Sequence, residues 1–426
     1  MLKINKGIIR LYAPYIIILS VYISFVIIAF IKESPSNLLN GFLNIVTSRS
    51  VLVTDYVAVG GLGATLLNSA IVGSITVFTL IFLKIKPNGA NIMAIWMTTG
   101  FAFFGKNIFN MIPLTFGVWL FSKYNKEPFT NYSLAAMLVA TLSPAVSEIS
   151  FFGVFNRPVG IILGILFGIF IGFIFPALSA GSVRVHGGYN LYNMGFAGGL
   201  ICMVAVSIFI SLEIDIGTVS ILSEGNNIFF AVLLYVISAV LFLWGILLDG
   251  TADIKKNIKE CRLIFKNSGR LVSDFYYEHG NSIYINMAML CAFATTLVLA
   301  IGAELNGPTI AGIFTITAFG SFGKHLKNVI PICIGAVVSA YFNKVDPTAP
   351  SNIISILFST GLAPIAGQYG WIWGITAGFL HVNIVIHTSY LGGGMNLYNN
   401  GFAAGFVAMF MLPLITTFTR NKNNEY

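Results

Sequence analysis

"NLYNMGFAGG" occupies residues 190–199 and returns as "NLYNNGFAAG" at residues 396–405. Two apolar helices can match by chance wherever Ile falls opposite Ile, but not with Asn, Tyr, Gly and Phe in one order. Upstream, "NGANIMAIWMTTGFAFFGKN" (88–107) aligns with "NGPTIAGIFTITAFGSFGKH" (306–325) at an offset of 218 residues. At that offset Asn110, Ile112, Pro113, Gly117, Asn125 and Lys126 meet Asn328, Ile330, Pro331, Gly335, Asn343 and Lys344. "LVTDY" (52–56) meets "LVSDF" (271–275) at 219, Pro144 meets Pro364, and the opening phrase pairs at 206 after a deletion. The chain is an internal duplication with a first repeat over 1–225 and a second over 226–426.

Composition says what is duplicated. The 426 residues are 57% hydrophobic and 9% charged, where a soluble globule carries roughly 25% charge. In lipid each backbone amide must be satisfied within its own segment, so an apolar run of about 20 residues reads as a helix. Fourteen such segments are expected, near 12–31, 62–83, 89–105, 107–122, 132–152, 158–178, 188–211, 226–248, 282–303, 307–323, 328–343, 351–370, 371–391 and 396–418. The third, fourth, tenth and eleventh are short or rich in Gly and Pro, and read as broken or re-entrant. The fold class is therefore an all-α polytopic membrane protein. The basic start before residue 12 precedes a long apolar run with no small-x-small site, which predicts an uncleaved first span.

Basic loops stay cytoplasmic. An N-terminus inside, with Lys3, Lys6 and Arg10, also puts Lys84, Lys86, Lys123, Lys126, Arg184, the basic loop of about 249–281, Lys324 with Lys327, and Arg420 with Lys422 inside. Glu213, Asp215 and Glu224 then fall outside, and both termini are cytoplasmic. This loop bias accounts for the net charge of +8, so nucleic acid is no expected partner. Seven crossings per repeat turn the second copy upside down, the arrangement in which secondary transporters enclose a site near mid-membrane; if the third and tenth segments re-enter instead of crossing, the count per repeat and this inference change.

Candidate site residues come from polar positions matched between repeats. Asn190, Tyr192 and Asn193 pair with Asn396, Tyr398 and Asn399, and read either as interhelical glue or as the lining of a solute path. Thr99 pairs with Thr317 in the interrupted third and tenth segments, a further expected substrate position. The lysines of the matched FGK motifs, Lys106 and Lys324, read as interfacial snorkelling residues, with anion attraction as the sharper alternative. Asp55 and Asp274 read as helix caps or as ion-coupling groups, and Glu148, in a Pro-broken segment without a charged twin, as the leading coupling candidate. The four cysteines and the histidines show no metal spacing, and no ATP-binding, haem or nucleophile motif occurs, so no cofactor, metal or catalytic residue is expected.

In NLYNxGFA and FGK, over both repeats, the chain resembles an uncharacterised bacterial family of integral membrane proteins that carry a homologous region at both ends. That resemblance implies no activity. In plan alone, seven plus seven spans are similar to the nucleobase and anion transporters whose third and tenth segments meet at the substrate site. The expected function is an inner-membrane secondary transporter or channel-like permease, not an enzyme, for a small polar solute that is neutral or singly charged. Its expected partners are that solute, a coupling proton or sodium ion and membrane lipid, with a homo-oligomer left open. The rivals are a membrane-embedded enzyme acting on a lipid-linked substrate through Glu148 and a histidine, and a scaffold subunit of a membrane complex.

Overall fold

A computed structural model describes residues 6–49, 53–213, 220–247, 254–270, 273–388 and 396–423. With no water to take up backbone groups, the chain closes its hydrogen bonds locally, and the described residues are mostly helical. The first repeat forms α1 (Lys6–Lys32), α2 (Pro35–Thr47), α3 (Tyr56–Gly60), α4 (Leu62–Phe82), α5 (Gly89–Phe101), α6 (Ile108–Tyr124), α7 (Ser133–Val139), α8 (Ser143–Phe151), α9 (Arg157–His186) and α10 (Asn193–Ser211). The second forms α11 (Asn227–Leu247), α12 (Ile254–Ile264), α13 (Phe275–His279), α14 (Ile283–Ile301), α15 (Gly307–Ala318), α16 (Leu326–Phe342), α17 (Pro350–Ser359), α18 (Ala363–Tyr369), α19 (Trp371–Thr388) and α20 (Asn396–Asn423). In order, α11 to α20 retrace α1 to α10, with α19 shorter than α9 and α20 longer than α10. Beside the helices, β1 (Val53–Thr54) pairs in parallel with β2 (Ser220–Ile221).

Each of the fourteen apolar segments carries a helix, and the chain is a multi-pass membrane protein. Among the described residues, eight helical stretches are long and apolar enough to cross a bilayer. The third and tenth segments fall short: α5 has 13 residues and α15 has 12. At 1.5 Å per residue each spans about 20 Å of a hydrocarbon layer about 30 Å thick. The fourth and eleventh, α6 and α16, are 17-residue helices with Pro113 and Pro331 inside. Two more segments are broken, the fifth, as its proline predicts, and the twelfth. The fifth segment is interrupted by a 3-10 turn at Ala140–Leu142 between α7 and α8, and the twelfth by one at Thr360–Leu362 between α17 and α18. Pro144 and Pro364 start the helices after these turns, where a missing N–H costs nothing. The basic stretch expected as a loop at 249–281 contains α12 and α13.

The chain forms two compact units that do not coincide with the repeats. One comprises Met1–Pro176, Val219–Asn227 and Asn306–Ala318; the other comprises Ala177–Thr218, Ile228–Leu305 and Phe319–Tyr426. The first unit thus takes α15 from the second repeat, and the second takes α10 from the first. In the first unit α1 packs on α4 and α5 on α15; in the second α16 packs on α19 and α10 on α20. Small residues permit these approaches, as is usual between helices in lipid. A Cβ at Gly117 or Gly172 would collide with the backbone of the facing helix, α9 or α6, and one at Gly335 or Gly378 with that of α19 or α16.

Within each unit, matched residues of the two repeats face each other. Trp96 stacks on its counterpart Phe314 in the first unit, with ring centroids 5.7 Å apart. Phe196 stacks on its counterpart Phe402 in the second, 5.9 Å apart with rings 2° from parallel. A position touches its own equivalent only close to a two-fold axis, so each unit is locally pseudo-symmetric.

Candidate functional site

The FGK motif is where each half-helix stops. Gly105 and Gly323 have φ of 71° and 108°, a region closed to most side chains, and this lets the chain turn out of α5 and out of the 3-10 turn after α15. The turn exposes carbonyls inside the protein, and matched asparagines collect them. Asn68 on α4 donates to the carbonyls of Ala102 (2.8 Å) and Lys106 (2.9 Å). Asn286 on α14 donates to those of Gly320 (2.8 Å) and Lys324 (2.7 Å). Asn110 and Asn328 hold the glycine carbonyls at 2.8 and 3.0 Å and complete the capping boxes of α6 and α16.

The two lysines are not interfacial. Lys106 is 1% exposed and Lys324 0%, which corrects the snorkelling reading. Each turn points its lysine back among helices instead of toward the headgroups. A lysine held at the middle of a membrane helix costs about 2.5–3.5 kcal/mol on insertion scales, so the partners of each ammonium matter. Lys324 is well supplied: it donates to Tyr192 Oη (2.5 Å) and Thr360 Oγ1 (2.8 Å) and lies over the rings of Tyr192 and Phe319. Lys106 donates to Thr98 Oγ1 at 3.1 Å and takes part in none of the ion pairs among the described residues. It instead borders a cavity of about 320 Å³ between α4, α6 and α7.

The other candidates are engaged by protein. Thr99 Oγ1 meets Tyr22 Oη at 2.7 Å and the carbonyl of Ile95, and Thr317 donates to the carbonyl of Ile313. Asn190 donates to the Gly401 carbonyl at 3.3 Å and accepts from the amide of Tyr192 at 2.8 Å. Asn193 donates to the Ser179 carbonyl and meets His186 Nε2 at 3.1 Å. Asn399 donates to the Thr388 carbonyl at 3.2 Å. The side chains of Asn396 and Tyr398 lie outside the described residues. Asp55 and Asp274 cap α3 and α13, and Asp55 also accepts from the Ser223 amide and hydroxyl and from the Gly307 amide. Glu148 Oε1 forms an ion pair with Arg49, 2.6 Å from Nη2 and 2.8 Å from Nε, while its Oε2 has no partner.

The structure thus gathers Asn190, Tyr192 and Asn193 into one packed turn, with Tyr192 on Lys324. It also places Thr99 and Thr317 on the half-helices that pack together in the first unit. Lys106 and its cavity are not among the expected solute positions, although the FGK repeat marks the residue. Its apolar neighbours come from three segments whose adjacency the sequence does not express. Among the described residues no three His, Cys, Asp or Glu side chains cluster as a metal site would require. No curated protein and no solved structure matches this chain. A family model does match it, over residues 34–211 and 254–417, one stretch in each repeat, and the chain belongs to that family, described as protein of unknown function DUF1576.

Proposed function

We propose that this protein is a secondary transporter of the cytoplasmic membrane, a permease for a small polar solute carrying at most one charge. Its two repeats are inverted with respect to each other, and both termini lie in the cytoplasm. The observation that carries this reading is the pair of half-length helices at matched positions, α5 and α15, which pack on one another in one compact unit. Paired discontinuous segments are the signature of transporter folds, because helix ends within the bilayer supply unpaired backbone groups to a solute or ion. The broken fifth and twelfth segments and the buried lysines support the same reading. A scaffold role is the second reading, favoured by the protein hydrogen bonds that occupy Asn190, Asn193 and Asn399.

Purified protein in proteoliposomes, screened with solutes under imposed proton or sodium gradients, is expected to give gradient-dependent uptake that empty vesicles lack. Absence of flux for every solute class would favour the scaffold. Because Asn193 and Asn399 bond to protein, Asn193→Ala and Asn399→Ala are expected to lower the thermal midpoint by several degrees with substrate KM within about twofold. A large KM change at unaltered stability would return these asparagines to the solute path.

A further inference from the structure

We infer that the cavity at Lys106 binds a monovalent organic anion with a compact apolar body, such as a short-chain or aromatic monocarboxylate, its anionic head on the Lys106 ammonium. The inference rests on the permease reading, of which it names the substrate class.

Three observations carry it. First, Lys106 has donors to spare. An ammonium has three N–H groups and no acceptor, and Thr98 takes one of them. Its counterpart Lys324 has two hydroxyl partners and two aromatic faces. Second, the repeats differ at the position that decides this. Thr360, which gives Lys324 its second hydroxyl, corresponds to Ala140, a methyl group on the wall of the Lys106 cavity. The first repeat therefore opens a space where the second closes one. Third, the rest of the wall selects against other ligands. Among the described residues Lys106 is the only charged one of the lining, which is otherwise mainly apolar, with Ile75, Leu80, Met111 and Trp119 among it. The hydroxyls of Thr76, Thr79, Thr115 and Ser133 donate to carbonyls of their own segments, at Val72, Ile75, Met111 and Thr130. A ligand that fits must accept hydrogen bonds at one end and tolerate hydrocarbon along the other. A cation, a sugar or a multivalent phosphate does not meet that description. At about 320 Å³ the space takes a six-carbon acid in full.

Equilibrium dialysis of the purified full-length protein with radiolabelled hexanoate tests this, with benzoate, hexanol, hexylamine and oleate as competitors. Saturable binding of one hexanoate, displaced by benzoate but not by hexanol or hexylamine, is expected. Lys106→Met is expected to weaken binding about tenfold or more, and Lys106→Arg, which keeps the charge, by less. Ala136→Phe fills the cavity without touching the charge and is expected to weaken binding comparably, which guards against reading a misfolded Lys106→Met as a result. Hexanoate binding that is absent from folded wild-type protein, indifferent to both Lys106→Met and Ala136→Phe, or outcompeted by oleate overturns the inference. If hexanoate fails to bind while another solute is still taken up by proteoliposomes, this assignment falls and the permease reading stands. If hexanoate binds through Lys106 but no solute crosses, the site stands and the permease reading falls.

Discussion

Arg49→Met is expected to destabilise the protein by about 3 kcal/mol, because it breaks an enclosed ion pair from one side only. Glu148 is nearly enclosed, with a side chain 9% exposed, and Arg49 is 27% exposed, so removing the arginine strands a carboxylate with little access to water. The guanidinium also lies over the Phe152 ring at 4.4 Å, and the methionine cannot replace that cation–π attraction. Glu148→Leu is expected to cost less, because the arginine left behind retains a path to solvent. The double variant is expected to recover much of the Arg49→Met loss, since the penalty belongs to the orphaned charge more than to the pair. Unfolding midpoints of the four proteins in detergent, read as a double-mutant cycle, check this. Were Glu148→Gln instead to leave stability intact and abolish the proton dependence of uptake, Glu148 would be a coupling group and the ion pair incidental.

The second large effect falls on the matched asparagines beneath the FGK turns. Asn286→Leu removes two hydrogen bonds to enclosed carbonyls, those of Gly320 and Lys324. Hydrogen bonds between membrane helices average about 0.6 kcal/mol and reach about 1.7, and an orphaned buried acceptor costs about 1–3. A loss of about 1–3 kcal/mol is therefore expected, and Asn68→Leu should cost the same within about 0.5 kcal/mol, because its geometry is the same. Thermal denaturation of the purified variants measures both. A marked inequality would mean that the two turns, alike in hydrogen bonding, differ in the strain they carry.

Much of this fold is readable from the residues. The repeat is legible because its matched polar positions have mechanical tasks: Gly105 and Gly323 turn the chain, Asn110 and Asn328 cap α6 and α16, and Asp55 and Asp274 start a short helix. The shortness of α5 and α15 is announced by glycines and by the FGK stop. The break in the fifth segment is announced by Pro144, but the place of the 3-10 turns, Ala140–Leu142 and Thr360–Leu362, is not, since a 3-10 turn needs no special composition. The burial of Lys106 and Lys324 is hidden for a related reason. Periodicity tells which residues share a helix face, but a lysine after a glycine turn takes its direction from the turn. NLYN reads as a solute path as readily as a packing motif, because amides in lipid look functional until their carbonyl partners, Gly401, Ser179 and Thr388, are seen.

The exchange of segments between repeats bears on how the molecule is made. The first compact unit is incomplete until Gly307–Ala318 has been synthesised, some 130 residues after its main run ends at Pro176. A ribosome therefore releases more than two thirds of the polypeptide before α5 can meet α15. Cutting the gene between its two ancestral halves would give two products, neither able to finish a unit by itself. Only co-expression, with each fragment lending the other its missing helix, would restore the assembled protein.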